Sequence, residues 1–196
     1  MKTCIQRFLL AALLAGGAAQ ATAAGVDYRI DPEHTEVVVT WSHLGFSTPS
    51  AHAGGIQGVI RYDAAQPSAS SVKLDVPLAS FTSHIAKLDE MLRGPQFFAA
   101  GQYPAIGFES TSVEDKGNGR LLIHGKLRIK DREKPVVLEA RQNKAGVHPM
   151  AQRPAIGFDA STVLKRSDFG VEAYAPDVSD EVQLRITVEA VADAAR

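Results

Sequence analysis

Cysteine and tryptophan are the scarcest residues of this 196-residue chain, with one copy of each, Cys4 and Trp41. Cys4 lies in the N-terminal segment that we expect to be removed as a signal peptide, so the remaining chain can form no disulfide. A disulfide-stapled scaffold is therefore excluded, and the domain must be held together by its apolar core.

Runs of charge are also missing. Removal of Lys2 and Arg7 with the predicted signal peptide leaves 19 basic and 22 acidic residues, a net charge of −3. Without a basic patch or stripe, nucleic acid and anionic surfaces are poor candidates for the main partner. We predict no nucleic-acid partner.

Catalytic and metal-binding signatures are missing too. The chain has no Gly-x-Ser-x-Gly, no phosphate-cradling glycine loop and no His-Glu-x-x-His. Asp168-Phe169-Gly170 matches a kinase tripeptide by coincidence, because no other kinase motif accompanies it. His34, His43 and His52 recur every nine residues, a spacing that satisfies no metal site. We predict no metal, no cofactor and no enzymatic activity. The alternative left open is a lipid-modifying enzyme using Ser42 or Ser47 beside His43, without an evident third partner.

The N-terminus has the order of a secretory signal. Lys2 and Arg7 form a basic segment, residues 8–15 an apolar run, and residues 21–24 a small-residue cleavage site. The apolar run is too short to span a bilayer. We expect residues 1–24 to be cleaved, leaving residues 25–196 as one domain in the bacterial periplasm without a transmembrane segment.

Most of the chain alternates apolar and polar residues with a period of two, which predicts half-buried strands. Eight such patterns are present, the first at residues 36–43 and the last at residues 181–190. Residues 143–153 are predicted to be a loop. Between strands three and four the spacing changes, since Ile85, Leu88, Met91 and Leu92 recur at helical intervals. The sequence therefore predicts an all-β protein with one short helix, which ends at Gly94-Pro95 and lies against the wall or across one end of the sheet.

Eight strands with one apolar face each can form a barrel or a two-sheet sandwich. An eight-stranded barrel just holds packed side chains or one small ligand. The residues alone favour a filled interior, so a ligand-free structural or interaction β-sandwich stays open as an alternative.

Several segments, taken together and in order, resemble the YceI-like family of periplasmic, lipocalin-like, polyisoprenoid-binding proteins. The resemblance spans residues 25–196, and its segments are residues 30–35, 43–48, 92–98 with Tyr103-Pro104, 166–170 and 178–182. It implies an eight-stranded antiparallel barrel holding one long apolar ligand, such as a polyprenyl lipid or a quinone. Met91 and Ala99 depart from the family, whose members commonly carry a His and an acid there.

The resemblance and the inward faces of the strands together predict the site. His43 and Arg166 are the candidate head-group contacts, although a structural ion pair or turn hydrogen bond is favoured over ligand contact for Arg166. The sequence leaves a homodimer open. The predicted apolar cavity residues are Val37, Val39, Trp41, Ile60, Leu74, Val76, Phe97, Phe98, Ile106, Phe108, Ile123, Leu127, Leu138, Phe158, Leu184 and Ile186.

Overall fold

The computed structural model describes residues 25–193. It contains ten strand segments and one α-helix, α1 (Ala86–Arg93), between the fifth and sixth strands. The strands are β1 (Val26–Ile30), β2 (Glu36–Thr40), β3 (Ser50–Ala53), β4 (Gln57–Tyr62), β5 (Ser71–Pro77), β6 (Ala105–Asp115), β7 (Arg120–Ile129), β8 (Arg132–Val147), β9 (Pro154–Lys165) and β10 (Glu181–Ala192).

The ten segments form a closed antiparallel barrel of eight strand positions. Strands β4 to β10 pair in sequence order, and β1 pairs with both β4 and β10, which closes the sheet. Both β1 and β2 pair with β10, so they are two halves of one interrupted strand. Segments β3 and β4 pair with β2 and β1 respectively and make the second interrupted strand. The predicted eight-stranded antiparallel barrel is confirmed.

The two interruptions lie next to each other. The backbone N–H of Gly55 donates to the carbonyl of Pro32 at 3.3 Å, which joins the break after β1 to the break before β4. Gly55 adopts a positive φ of 63°, a conformation that glycine tolerates best. The glycine-rich run therefore marks a bend of the barrel wall.

The two longest connections between strands meet at one end of the barrel, here called the mouth. The mouth is formed by residues 41–49, residues 78–104 with α1, the turn 130–131 and residues 166–180. The opposite end, here called the base, carries residues 63–70, the tight hairpin at 116–119, and residues 148–153. The predicted helix is confirmed, and it lies at the mouth.

Three details differ from the sequence-based expectation. Segment β1 was not predicted, although Tyr28 and Ile30 alternate with charged residues and are buried. Segment β3 was also missed, because its inward residues, Ala51 and Ala53, are too small to give an apolar pattern. The predicted loop at 143–153 is wrong in its first part, since β8 continues to Val147 past a bulge between Gln142 and Lys144.

The sequence predicts that Gly94 ends the helix as a left-handed cap, and this prediction is wrong. Gly94 has a φ of −69°, so its backbone is extended and not left-handed. A Cβ at Gly94 would lie 3.0 Å from the Met91 carbonyl oxygen, which makes glycine favourable there for space.

No helix within residues 25–193 combines the length and apolarity needed to cross a membrane. The predicted signal peptide lies outside the described residues.

Candidate functional site

The mouth half of the barrel encloses a cavity of about 690 Å³. Inward-facing residues of the strands form its walls, and α1 with residues 97 and 98 closes one side. Because strand residues alternate between the two faces, every second residue of β10 from Val182 to Val188 reaches the cavity. The interior is therefore hollow toward the mouth.

Thirteen of the sixteen predicted apolar residues line this cavity. The structure brings together Val37, Val39, Trp41, Leu74, Val76, Phe97, Phe98, Ile106, Phe108, Leu127, Leu138, Leu184 and Ile186. Their position on the cavity wall is as predicted, whereas their contact with a ligand stays a prediction.

The other three predicted residues, Ile60, Ile123 and Phe158, are not among the lining residues and lie at or below the floor of the cavity. They belong to a packed cluster in the base half of the barrel, of which Phe158 is a buried member. Their side chains do face inward, but at this level large residues from facing strands fill the interior.

Three aromatic residues, Tyr28, Tyr62 and Phe158, are buried in the base cluster. The rings of Tyr62 and Phe158 meet edge to face, with centroids 5.7 Å apart and an interplanar angle of 74°. Tyr28 is buried beside them, and burial, together with Tyr62, raises the pKa of its phenol. Ile60 and Ile123 contact both this cluster and the buried residues that surround the cavity. They therefore form the boundary between the two, here called the cavity floor.

Polar side chains are few along the cavity wall. Thr35 is buried, and its hydroxyl bonds the backbone of Glu189, donating to its carbonyl at 3.3 Å and accepting from its N–H at 3.2 Å. The other hydroxyl-bearing or ionisable side chains that line it are Thr162, His43, Arg166, Tyr174 and Asp177. The last four are on the mouth connections, so the polar groups concentrate at the opening.

Arg166 organises the mouth loop. Its guanidinium donates four hydrogen bonds to backbone carbonyls, those of Ser179 (2.9 Å), Val171 (2.6 Å), Ala173 (2.8 Å) and Val178 (2.7 Å). Burial lowers its pKa, and the nearby Asp180 opposes that shift. With four of its five N–H groups occupied, Arg166 holds residues 171–179 in place and has little capacity for a head group.

The residues around Arg166 explain the 166–170 motif. Asp180 accepts hydrogen bonds from the backbone N–H and the hydroxyl of Ser167, at 2.8 and 2.7 Å, and the hydroxyl contact is the main cause of its lowered pKa. Phe169 is buried against the cavity, and Gly170 ends the turn with a left-handed φ of 67°. This motif therefore builds the mouth loop.

His43 lies at the opening, where it is exposed. Its backbone N–H donates to the Ser47 carbonyl at 2.9 Å, and the backbone N–H of Ser42 donates to the Ser179 hydroxyl at 2.9 Å. Within residues 25–193, no hydrogen bond joins a serine hydroxyl to the His43 ring, so a nucleophile–base pair is not assembled. The head-group role of His43 stays a prediction.

The helix is anchored by a residue that the sequence places on its polar face. Asp89 is buried, and it accepts hydrogen bonds from the Ser83 hydroxyl and N–H (both 2.6 Å) and the Thr82 hydroxyl (2.8 Å). These contacts, led by the Ser83 hydroxyl, lower its pKa to about 2. Backbone hydrogen bonds between Thr82 and His52 then join this segment to β3, so Asp89 fixes α1 to the barrel.

Sequence reasoning missed lining residues on the mouth connections. Leu88 and Leu92 were on the predicted apolar stripe and so carried a signal. Phe81, Tyr174 and Asp177 come from irregular segments, where no periodicity could have found them. Among the described residues, no group of three or more His, Cys, Asp or Glu side chains could hold a metal ion.

Comparison with known sequences identifies a family. The model of the YceI-like domain matches residues 28–190. A UPF0312 protein of Azotobacter vinelandii is 39% identical over 188 residues, covering 93% of this chain and 96% of its own length. A UPF0312 protein of Shewanella sp. (strain W3-18-1) is 36% identical over 171 residues, covering 86% of this chain and 89% of its own.

Solved structures share the fold. Burkholderia cenocepacia BcnA superposes with a TM-score of 0.74 at 21% identity, covering 82% of this chain and 98% of that one. The Campylobacter jejuni YCEI protein gives 0.70 at 27% identity, covering 78% and 90%. A polyisoprenoid binding domain from Saccharophagus degradans gives 0.65 at 12% identity, covering 86% and 99%. With a family model that spans the barrel and relatives along nearly the whole chain, this protein belongs to the YceI-like domain family.

Proposed function

We propose that this protein binds and carries a long-chain isoprenoid or a similar amphiphile, such as a polyprenyl lipid or a quinone, in the cavity at the mouth of the barrel. The single observation that carries the proposal is the hollow mouth half, with about 690 Å³ enclosed by apolar walls. A scaffold without a ligand would gain by filling this volume with side chains, as the base half does.

The wall chemistry suits an apolar chain. A polyprenyl chain offers only apolar area, and burying it yields roughly 25 cal/mol per Å² without any polar constellation. The polar groups at the opening support a head-group position there, near His43 and Asp177. The Saccharophagus degradans neighbour, named as a polyisoprenoid binding domain, supports the same ligand class, and the family suggests a binding protein rather than an enzyme.

The proposed location is the bacterial periplasm, supported by the order of basic, apolar and small residues in the first 24 positions. We expect the exported protein to begin at Ala24 or Gly25. Intact-mass measurement of the protein released from the periplasm tests this, and a species that retains residues 1–23 would contradict it.

The ligand class is tested by solvent extraction of the purified protein followed by lipid mass spectrometry. We expect one family of long-chain isoprenoid lipids at near-stoichiometric amounts. The matched control is Ala53→Phe, because Ala53 lines the cavity and a larger apolar side chain there reduces the volume without adding charge. If the folded control retains as much lipid as the natural protein, or if extraction yields only membrane phospholipid in trace amounts, the proposal fails.

A further inference from the structure

The mouth carries an exposed apolar rim made of Leu44, Phe46, Ile85, Met91 and Tyr174. Their exposed fractions are 53%, 91%, 59%, 37% and 58% respectively. The five residues come from three separate connections, so the rim is a product of the fold and not of one apolar run. Clustered exposed apolar residues mark an interaction site.

The rim is continuous with the cavity. Leu44, Ile85, Met91 and Tyr174 are exposed to solvent and also line the cavity. The Tyr174 ring stacks on Phe97, a buried wall residue, with centroids 6.1 Å apart. An apolar chain that enters the barrel over the rim therefore stays in contact with apolar side chains along its whole path.

The turn that presents Phe46 is held in place. Its backbone closes on itself, with the Phe46 N–H donating to the His43 carbonyl at 3.0 Å. It is tied to the neighbouring loop, since the Leu44 N–H donates to the Asp177 carbonyl at 2.8 Å. Leu44 also has a positive φ of 54°, which a bulky residue adopts only where its surroundings impose it. The turn thus presents an apolar tip in a fixed position.

The charges around the rim indicate what covers it. Residues 41–50 contain no Asp, Glu, Lys or Arg, so the tip can enter an apolar phase without desolvating a charge. The flanking segments carry both signs, with Lys87 and Glu90 exposed on α1 and Glu172 exposed on the opposite loop. An uncharged tip with mixed charges behind it matches a zwitterionic lipid surface better than a strongly charged one.

We propose that the mouth docks on a zwitterionic lipid bilayer, with the Leu44–Phe46 tip inserted between the lipids, so that the ligand moves between bilayer and cavity without crossing water. The cargo part of this proposal rests on the proposed function. Each CH₂ group exposed to water costs about 0.8 kcal/mol, so a long apolar chain is held in a bilayer and is released into water very slowly. Direct contact between rim and bilayer removes that barrier.

The test measures transfer of ubiquinone from dense, sucrose-filled phosphatidylcholine vesicles to the full-length mature protein. The vesicles are pelleted at intervals, and the ubiquinone that stays in solution with the protein is quantified. We expect the transfer rate to rise in proportion to vesicle concentration, as contact requires. Phe46→Ser should slow transfer about tenfold, since it removes a large part of the inserted apolar area.

Met150→Ser is the matched control. Met150 has an exposed fraction of 84% but lies at the base, so its replacement should leave transfer unchanged. Ubiquinone added from ethanol without vesicles should bind the natural protein and both variants equally. If none of the three binds ubiquinone from ethanol, the proposed function fails for this ligand; if all bind but Phe46→Ser accepts it from vesicles at the natural rate, the docking proposal fails. A dimer in solution that Phe46→Ser converts to monomer, with transfer unchanged, would show instead that the rim pairs two copies.

Discussion

The ring of Tyr62 meets the ring of Phe158 edge to face at 5.7 Å, in the packed base below the cavity floor. Phe158 of β9 faces the same interior as Thr162 and Leu164 of that strand, which do line the cavity. The barrel is therefore hollow on one side of this level and filled on the other. We expect this division to limit how deep a bound apolar chain can reach.

Replacing Phe158 by Ala should deepen the cavity. We expect the variant to lose about 4 kcal/mol of unfolding free energy, because a large buried ring is removed. We also expect the longest polyprenol that competes with a bound quinone to become longer, since the chain can extend into the vacated space. Competition with a graded series of polyprenols and denaturant unfolding measure the two effects.

Met91→Ala is the control for the depth of the cavity. Met91 lines the cavity at the mouth, so its truncation widens the opening without lowering the floor. An unchanged length preference in folded Phe158→Ala, or the same shift in both variants, would show that the base cluster does not set the depth.

Strand β10 offers a neighbouring pair with opposite orientations. Leu184 lines the cavity, whereas Gln183 is exposed on the outer face. We expect Leu184→Asp to abolish ligand retention or folding, because an unpaired carboxylate in the cavity shifts its pKa or costs several kcal/mol. Gln183→Asp should change neither melting temperature nor retained lipid. Equal behaviour of the two variants would contradict this orientation.

The buried carboxylate of Asp89 makes stability depend on pH in the acid range. Its pKa is lowered to about 2 from an ordinary value of 3.8. A carboxylate whose pKa is lower in the folded state than in the unfolded state stabilises the protein at every pH above its unfolded-state pKa. That contribution is lost as the pH falls from about 4 toward 2. Asp89→Asn should therefore lower the melting temperature at neutral pH, with the deficit shrinking over that acid interval.

Glu90→Gln is the matched control, since Glu90 is the next residue on α1 and is exposed. Its melting temperature should follow that of the natural protein throughout. Thermal unfolding from pH 7 to pH 2 measures both variants. A deficit in Asp89→Asn that stays constant down to pH 2 would mean that the charge of Asp89 does not hold the helix in place.

Arg166→Lys separates a structural role from a head-group role. Lysine keeps the charge but cannot reproduce the four carbonyl contacts of the guanidinium. We expect a loss of about 3 kcal/mol in unfolding free energy and faster proteolysis within residues 171–179. Arg185→Lys, on the exposed face of β10, should be silent. Unchanged stability with altered ligand affinity would instead assign Arg166 to the head group.

The barrel wall could be predicted from the sequence because alternation survives wherever large apolar residues face inward. Val182, Leu184 and Ile186 give a clear period of two, and their orientation is as predicted. Segment β3 escaped detection because Ala51 and Ala53 face inward, and small residues give no contrast with polar neighbours. The wall thus gives a signal only where its inward side chains are large.

The boundary between cavity and packed base could not be predicted. Phe158 and Phe108 are both inward-facing aromatic residues of strands in which apolar and polar residues alternate. Phe158 nevertheless belongs to the base cluster, whereas Phe108 lines the cavity. Their difference depends on which residues of other strands lie at the same level, which is a property of the barrel's register. The burial of Asp89 could not be predicted either, because helical spacing places it with Lys87 and Glu90 on the polar face of α1. Its burial depends on its contacts with Thr82 and Ser83, which precede the helix.

The central claim, that the cavity accepts a long apolar chain, is tested most directly by the fluorescence of Trp41. Trp41 is the only tryptophan and lines the cavity near the mouth. We predict that delipidated protein titrated with a ubiquinone analogue loses this fluorescence saturably, near one equivalent, and that a polyprenol of similar length restores it. Shorter apolar chains should compete less well, because they bury less area. Linear quenching without saturation, or quenching that no polyprenol reverses, would contradict the account.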